Sequence, residues 1–141
     1  GKDDCTNLSN DFRIVYNTES GWTGWQLNTM ITYPDSLFIY ERHYLPVLKE
    51  RTSKYLINKT DMDSLFLCLH KIKRINLTSY GFGPNKPTDC PVTFIKYKNY
   101  GSTDSAFIYL PDENEVPKEL LALLRNINRV IVNYDTLLNK N

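Results

Sequence analysis

The sequence predicts an α+β domain, an antiparallel sheet of about six strands with two helices on one face, in the order β-β-β-β-α-β-β-α. Three observations carry this reading. Several short segments alternate apolar and polar residues with a period of two, the pattern of half-buried strands. Two longer segments place apolar residues three and four apart, the pattern of amphipathic helices. The connections between strand segments are short and rich in turn-forming residues, which favours antiparallel neighbours with both apolar stripes buried against one sheet face.

Phe12 to Tyr16 alternates as Phe-Arg-Ile-Val-Tyr, and a turn through Gly21 to Gly24 follows. From Trp25 to Tyr33 the residues Trp25, Leu27, Thr29, Ile31 and Tyr33 share one side. Pro34-Asp35-Ser36 then returns the chain through Leu37 to Tyr44 as a hairpin. Leu45-Pro46-Val47 interrupts the ladder, because proline has no N–H to donate, before a fourth strand from Arg51 to Asn58.

Thr60 followed by Asp61-Met62-Asp63 predicts a capped, electrostatically favoured helix start. Met62, Leu65, Phe66, Leu69, Ile72 and Ile75 form its stripe as far as Asn76, whereas Leu67 falls on the polar face beside His70, Lys71 and Arg74. Thr78 to Asp89, TSYGFGPNKPTD, lacks periodicity and reads as the chief irregular loop. Strands are expected again at Pro91 to Tyr97 and Ser105 to Leu110, joined through Asn99-Tyr100-Gly101-Ser102. Pro117 opens the last helix, whose stripe of Leu120, Leu123, Leu124, Ile127, Val130, Ile131 and Tyr134 continues through Leu137 and Leu138 nearly to the terminus. The segments LFLCLHKIKRI and LLALLRNINRV align without gaps, and each helix follows a hairpin, so an internal hairpin-plus-helix repeat is one reading. Shared periodicity on a common sheet is the other.

The 141 residues, 41% apolar and 13% aromatic, suit one domain over residues 11–141 behind a tail of residues 1–10. Seventeen basic against sixteen acidic residues create no field that would draw in nucleic acid. No apolar run approaches the roughly 20 residues of a membrane-spanning helix, which leaves a lipid anchor as the expected route to a membrane.

The three cysteines, Cys5, Cys68 and Cys90, show neither zinc-ligand nor redox-pair spacing. In an oxidising compartment Cys5 and Cys90 are the expected disulfide pair, since both precede predicted strands, and Cys68 reads as a small hydrophobe on a helix. His43 and His70 have no catalytic motif around them, and GFGPNK at Gly81 to Lys86 lacks the spacing of a phosphate loop. Asp61 and Asp63 sit two apart on a helix and so point to different sides, which argues against paired catalytic carboxylates. A non-catalytic domain without cofactor or metal is expected.

Both tryptophans lie in SGWTGW, Ser20 to Trp25. Trp25 begins a strand with apolar same-side neighbours and is expected in the core. Trp22 lacks such neighbours, and with Tyr80 and Phe82 of the long loop it is the candidate aromatic ridge for binding a protein or a glycan.

Two resemblances bear on role. Lys2-Asp3-Asp4 resembles the export signal that follows the lipidated cysteine in surface lipoproteins of Bacteroidetes, with Gly1 then a cloning remnant. It implies an extracytoplasmic, outer-membrane-anchored domain, periplasmic or surface-exposed. The glycine turn at Gly21 and Gly24, with the order of elements, is similar to small secreted bacterial domains related to emfourin, although Trp22 departs from the usual small residues there. That resemblance implies the same fold and an inhibitor role toward metalloproteases. The expected function is an extracytoplasmic protein-binding, inhibitor-like domain, the alternatives being a glycan-binding surface module and an enzyme of unrecognised type.

Overall fold

The computed structural model describes residues 10–20, 24–72, 92–99, 101–109 and 116–138. Its elements are β1 (Arg13–Glu19), β2 (Trp25–Thr32), β3 (Ser36–His43), β4 (Lys49–Leu56), α1 (Lys59–Ile72), β5 (Val92–Asn99), β6 (Ser102–Tyr109) and α2 (Lys118–Tyr134). The strands form one antiparallel sheet in the spatial order β4-β3-β2-β1-β5-β6. This is the expected order of elements.

The strand alternation decides which face is covered. Ile14, Leu27, Ile31, Leu37, Ile39, Ile95 and Tyr97 point to one side and form a single core with Met62, Leu65, Phe66, Leu69 and Ile72 of α1 and Leu120, Leu123, Ile127, Val130 and Ile131 of α2. Both helices therefore lie on that face. Phe12 and Phe66 meet inside it with ring centroids 6.2 Å apart and planes tilted by 58°. Leu67 is exposed on the far side of α1, as its position in the periodicity requires.

The helices run antiparallel to each other. Arg129 and Tyr134, at the end of α2, both donate to Asp61 at the start of α1, at 3.2 and 3.0 Å, while Asn126 donates to Ser64 at 2.8 Å. Rotation by half a turn about a line normal to the sheet, between β1 and β2, carries β2 onto β1, the β3–β4 hairpin onto β5–β6, and α1 onto α2 in order and direction. The arrangement has the symmetry that a repeated hairpin-plus-helix unit would have.

Two helix ends differ from expectation. The first helix is capped by Asn58, whose side-chain oxygen accepts the Asp61 N–H at 2.8 Å, and not by Thr60. The β3–β4 ladder runs almost up to this cap, since the Ile57 N–H donates to the Asp35 carbonyl at 2.7 Å, one register step beyond the Ser36–Leu56 pair. The last helix stops at Tyr134 instead of running nearly to the terminus. A tight turn follows, held by Leu138 N–H on the Asp135 carbonyl, which buries Leu138 and leaves Leu137 exposed.

Candidate binding rim

The strand register gathers several connections at one end of the sheet. Glu19 pairs with both Gln26 and Val92, Trp25 with His43, and His43 with Lys49. The turn after β1, the connection from β3 to β4 and the entry to β5 thus leave from neighbouring strand ends.

Gly24 is a fixed point of this rim. Its φ of +72° suits a residue without a side chain, and a Cβ there would stand 2.8 Å from the Tyr44 Cβ. The close approach lets the Tyr44 N–H donate to the Gly24 carbonyl at 3.2 Å, while Ser20 N–H closes the same turn on the Trp25 carbonyl at 3.0 Å. The chain then passes through Leu45, Pro46, Val47 and Leu48 before rejoining the sheet, with Leu45 62%, Val47 64% and Leu48 51% exposed. The Leu45–Pro46 peptide is cis. Tyr44 itself carries the Arg42 guanidinium over its ring, 4.4 Å from the centroid.

Behind the rim, on the helix side, lies a buried ionic network. Glu41, register partner of Arg51, accepts from Arg51 Nε at 2.6 Å through Oε1 and from the Trp25 indole at 2.7 Å through Oε2. Arg51 also donates to Asp135 at 2.8 Å, across 84 positions of sequence, and Asp135 is 0% exposed. Burial alone would raise the Glu41 pKa, but the bonds from Trp25 and Arg51 and the positive charge of Arg51 outweigh it and hold the carboxyl below its ordinary value. For Arg51 burial pulls downward, and its bonds to Asp135 and Glu41 leave the pKa raised.

His43 Nε2 lies 3.3 Å from Glu41 Oε2, but Glu41 is committed to Arg51 and Trp25. No hydroxyl or thiol among the described residues bonds to His43. His70 is half-buried near the end of α1 and is bonded to no carboxylate among the described residues. Asp61 and Asp63 take separate partners, Arg129 with Tyr134 and Lys59 respectively.

Trp22, Tyr80 and Phe82, the candidate ridge, lie outside the described residues, as do Cys5 and Cys90. Trp25 is half-buried against the core with its indole N–H turned to Glu41, which makes it a wall of the network and not a fully enclosed core residue. Cys68 is a free thiol, half-buried against the core, with Asn126 Nδ2 at 3.6 Å from its sulfur.

Sequence reasoning missed the exposed apolar run Tyr44 to Leu48 as a site. Its signal was present: five consecutive apolar or aromatic positions in a segment that proline bars from the ladder.

Neither the protein-family models nor the curated proteins compared with the chain match it. What fold and rim define is a class: an α+β domain with a one-face helix layer and an exposed loop at one sheet end.

Proposed function

We propose that the protein is a non-catalytic, extracytoplasmic binding domain, tethered to a membrane by a lipid on a cysteine ahead of Lys2, that docks a partner protein through the rim loop Tyr44 to Leu48. The exposed apolar run carries this reading. Large side chains left in water side by side mark an association surface more often than scattered ones do. The loop is also held before any partner arrives, by the Gly24–Tyr44 contact at one end and the β4 ladder at the other, so that docking costs little ordering entropy. A projecting, pre-shaped loop is the form that enters an enzyme cleft, which supports an inhibitor-like role toward secreted proteases.

The test compares the parent with a Leu45→Asp/Val47→Asp variant, whose changes fall on exposed positions and leave the core untouched. The expected result is binding to, or inhibition of, a member of a panel of secreted metalloproteases by the parent, weakened at least ~10-fold in the variant, equivalent to about 1.4 kcal/mol. Equal behaviour of the two proteins would remove the loop from the interface. For the anchor, mass spectrometry of protein taken from its native membrane is expected to find a diacylglyceryl cysteine directly before Lys2, and a chain without it would remove the tether.

A further inference from the structure

The sheet face turned away from the helices carries, at the rim end, two cross-strand rows. Register places Val92, Glu19, Gln26 and Arg42 side by side in the first, and Phe94, Asn17, Asn28 and Tyr40 in the second. Where β5, β1 and β2 adjoin, Val92, Phe94, Glu19, Asn17, Gln26 and Asn28 line a pocket of about 280 Å³. That volume is near the lower end of small-molecule sites, roughly 300 Å³.

The polar groups in this pocket are oriented and have hydrogen-bonding capacity to spare. Gln26 is clamped from both sides, donating to Glu19 Oε2 at 3.4 Å and accepting from Arg42 at 3.0 Å. Asn17 accepts the Thr29 N–H through Oδ1 at 3.3 Å, which fixes its amide and leaves both Nδ2 hydrogens to donate. The exposed Asn28 side chain has no hydrogen-bond partner among the described residues, so it offers a donor and an acceptor. The second Glu19 oxygen accepts as well.

The chemistry of the walls selects a ligand class. Among the described residues the lining carries a carboxylate and no lysine or arginine, and Arg42 beside it is engaged by Gln26 and Tyr44, which disfavours anions. A wholly apolar ligand would strand the amides without partners. One carboxylate among amides is too few oxygen donors for a hard cation. A neutral ring bearing several hydroxyls satisfies all three conditions, because each hydroxyl both donates and accepts, while the C–H face of such a ring packs on Phe94 and Val92.

We propose that this pocket binds a neutral pyranose unit of a saccharide, at a site separate from the protein-docking loop. Free sugar and the end of a polysaccharide present the same ring, and the experiment distinguishes them.

The test records side-chain amide spectra of ¹⁵N-labelled protein during titration with methyl pyranosides of glucose, galactose, mannose and N-acetylglucosamine. Di- to tetrasaccharides of the same sugars form a second arm, and glucuronate and glucosamine serve as charged controls. A neutral glycoside is expected to shift the Asn17 and Asn28 side-chain amides, with a millimolar Kd or tighter. Asn28→Ala, on an exposed side chain that holds nothing in place, is expected to weaken it roughly 5- to 10-fold, the scale of one lost hydrogen bond. Tighter binding of the oligosaccharides points to a polysaccharide source, and equal binding to a free sugar. No shift of these amides by any neutral glycoside, shifts with the charged controls alone, or binding indifferent to Asn28→Ala would each overturn the proposal. Leu45→Asp/Val47→Asp is expected to bind the glycoside as the parent does, so failure of the pocket and failure of the docking loop are read separately.

Discussion

Arg51 is the residue on which the buried charges depend. It stands between Glu41 and Asp135, both almost removed from water, and each would be left as an uncompensated buried charge without it. Arg51→Leu is expected to cost about 3–5 kcal/mol in urea denaturation, whereas Glu41→Leu/Arg51→Leu/Asp135→Asn, which removes the charges together, is expected to regain most of that loss. Acid makes a second test. Because the folded-state pKa of Glu41 is depressed, its contribution is complete above the unfolded carboxyl pKa, about 4.3, and is lost as pH falls through the lower folded value. The urea midpoint of the parent is therefore expected to fall more steeply below about pH 4 than that of Glu41→Gln, and parallel curves would refute the assignment. This network was not legible in the sequence. Glu41 occupies an inward position of β3 behind Leu37 and Ile39, and its partner emerges only from a β3–β4 register that the irregular segment around Pro46 conceals.

At the level of elements, periodicity located all six strands and both helices, since alternation and helical spacing follow directly from which face must be buried. It served the ends less well, because ends answer to tertiary demands. β1 continues to Glu19 and not Tyr16, supported by β2 on one side and β5 on the other. The apolar spacing that would carry the last helix through Leu137 is broken at Asp135, whose carboxylate serves Arg51 at 2.8 Å and the Leu137 N–H at 3.1 Å. At the start of α1 the sequence pointed to Thr60, but the cap is Asn58, two residues earlier. Asn58→Ala is expected to cost about 1 kcal/mol and Thr60→Ala much less, measured as shifts in thermal midpoint. The reverse order would restore Thr60 as the cap. The candidate site divides in the same way: the sequence marked the turn at Gly21 to Gly24, but the pocket needs β1, β2 and β5 in register, a three-strand relation that no local pattern encodes.

Across the whole molecule, the sheet has two edges, β4 and β6, far apart and on either side of the β1–β2 pair. β4 is an exposed edge strand, and it carries Lys49, Glu50, Arg51 and Lys54, with the Lys54 ammonium 5.3 Å from the Phe38 ring centroid. Charge on an edge discourages strand addition from a second molecule. Lys54→Ile is accordingly expected to increase self-association in sedimentation velocity relative to the parent, and an unchanged profile would show that the remaining charges suffice.

The position of β1 has a mechanical consequence. The first strand among the described residues is also an interior strand, hydrogen-bonded antiparallel to β2 and β5 along its whole length. A tension applied ahead of Arg13, as by a tether to a moving surface, would enter the middle of the sheet, where a strand is restrained on both flanks. Peeling, which begins at a border strand and breaks rungs singly, is not open to it. A domain pulled from that side would bear the load on a strand gripped on both flanks, and the rim at the far end of that strand would stay in shape.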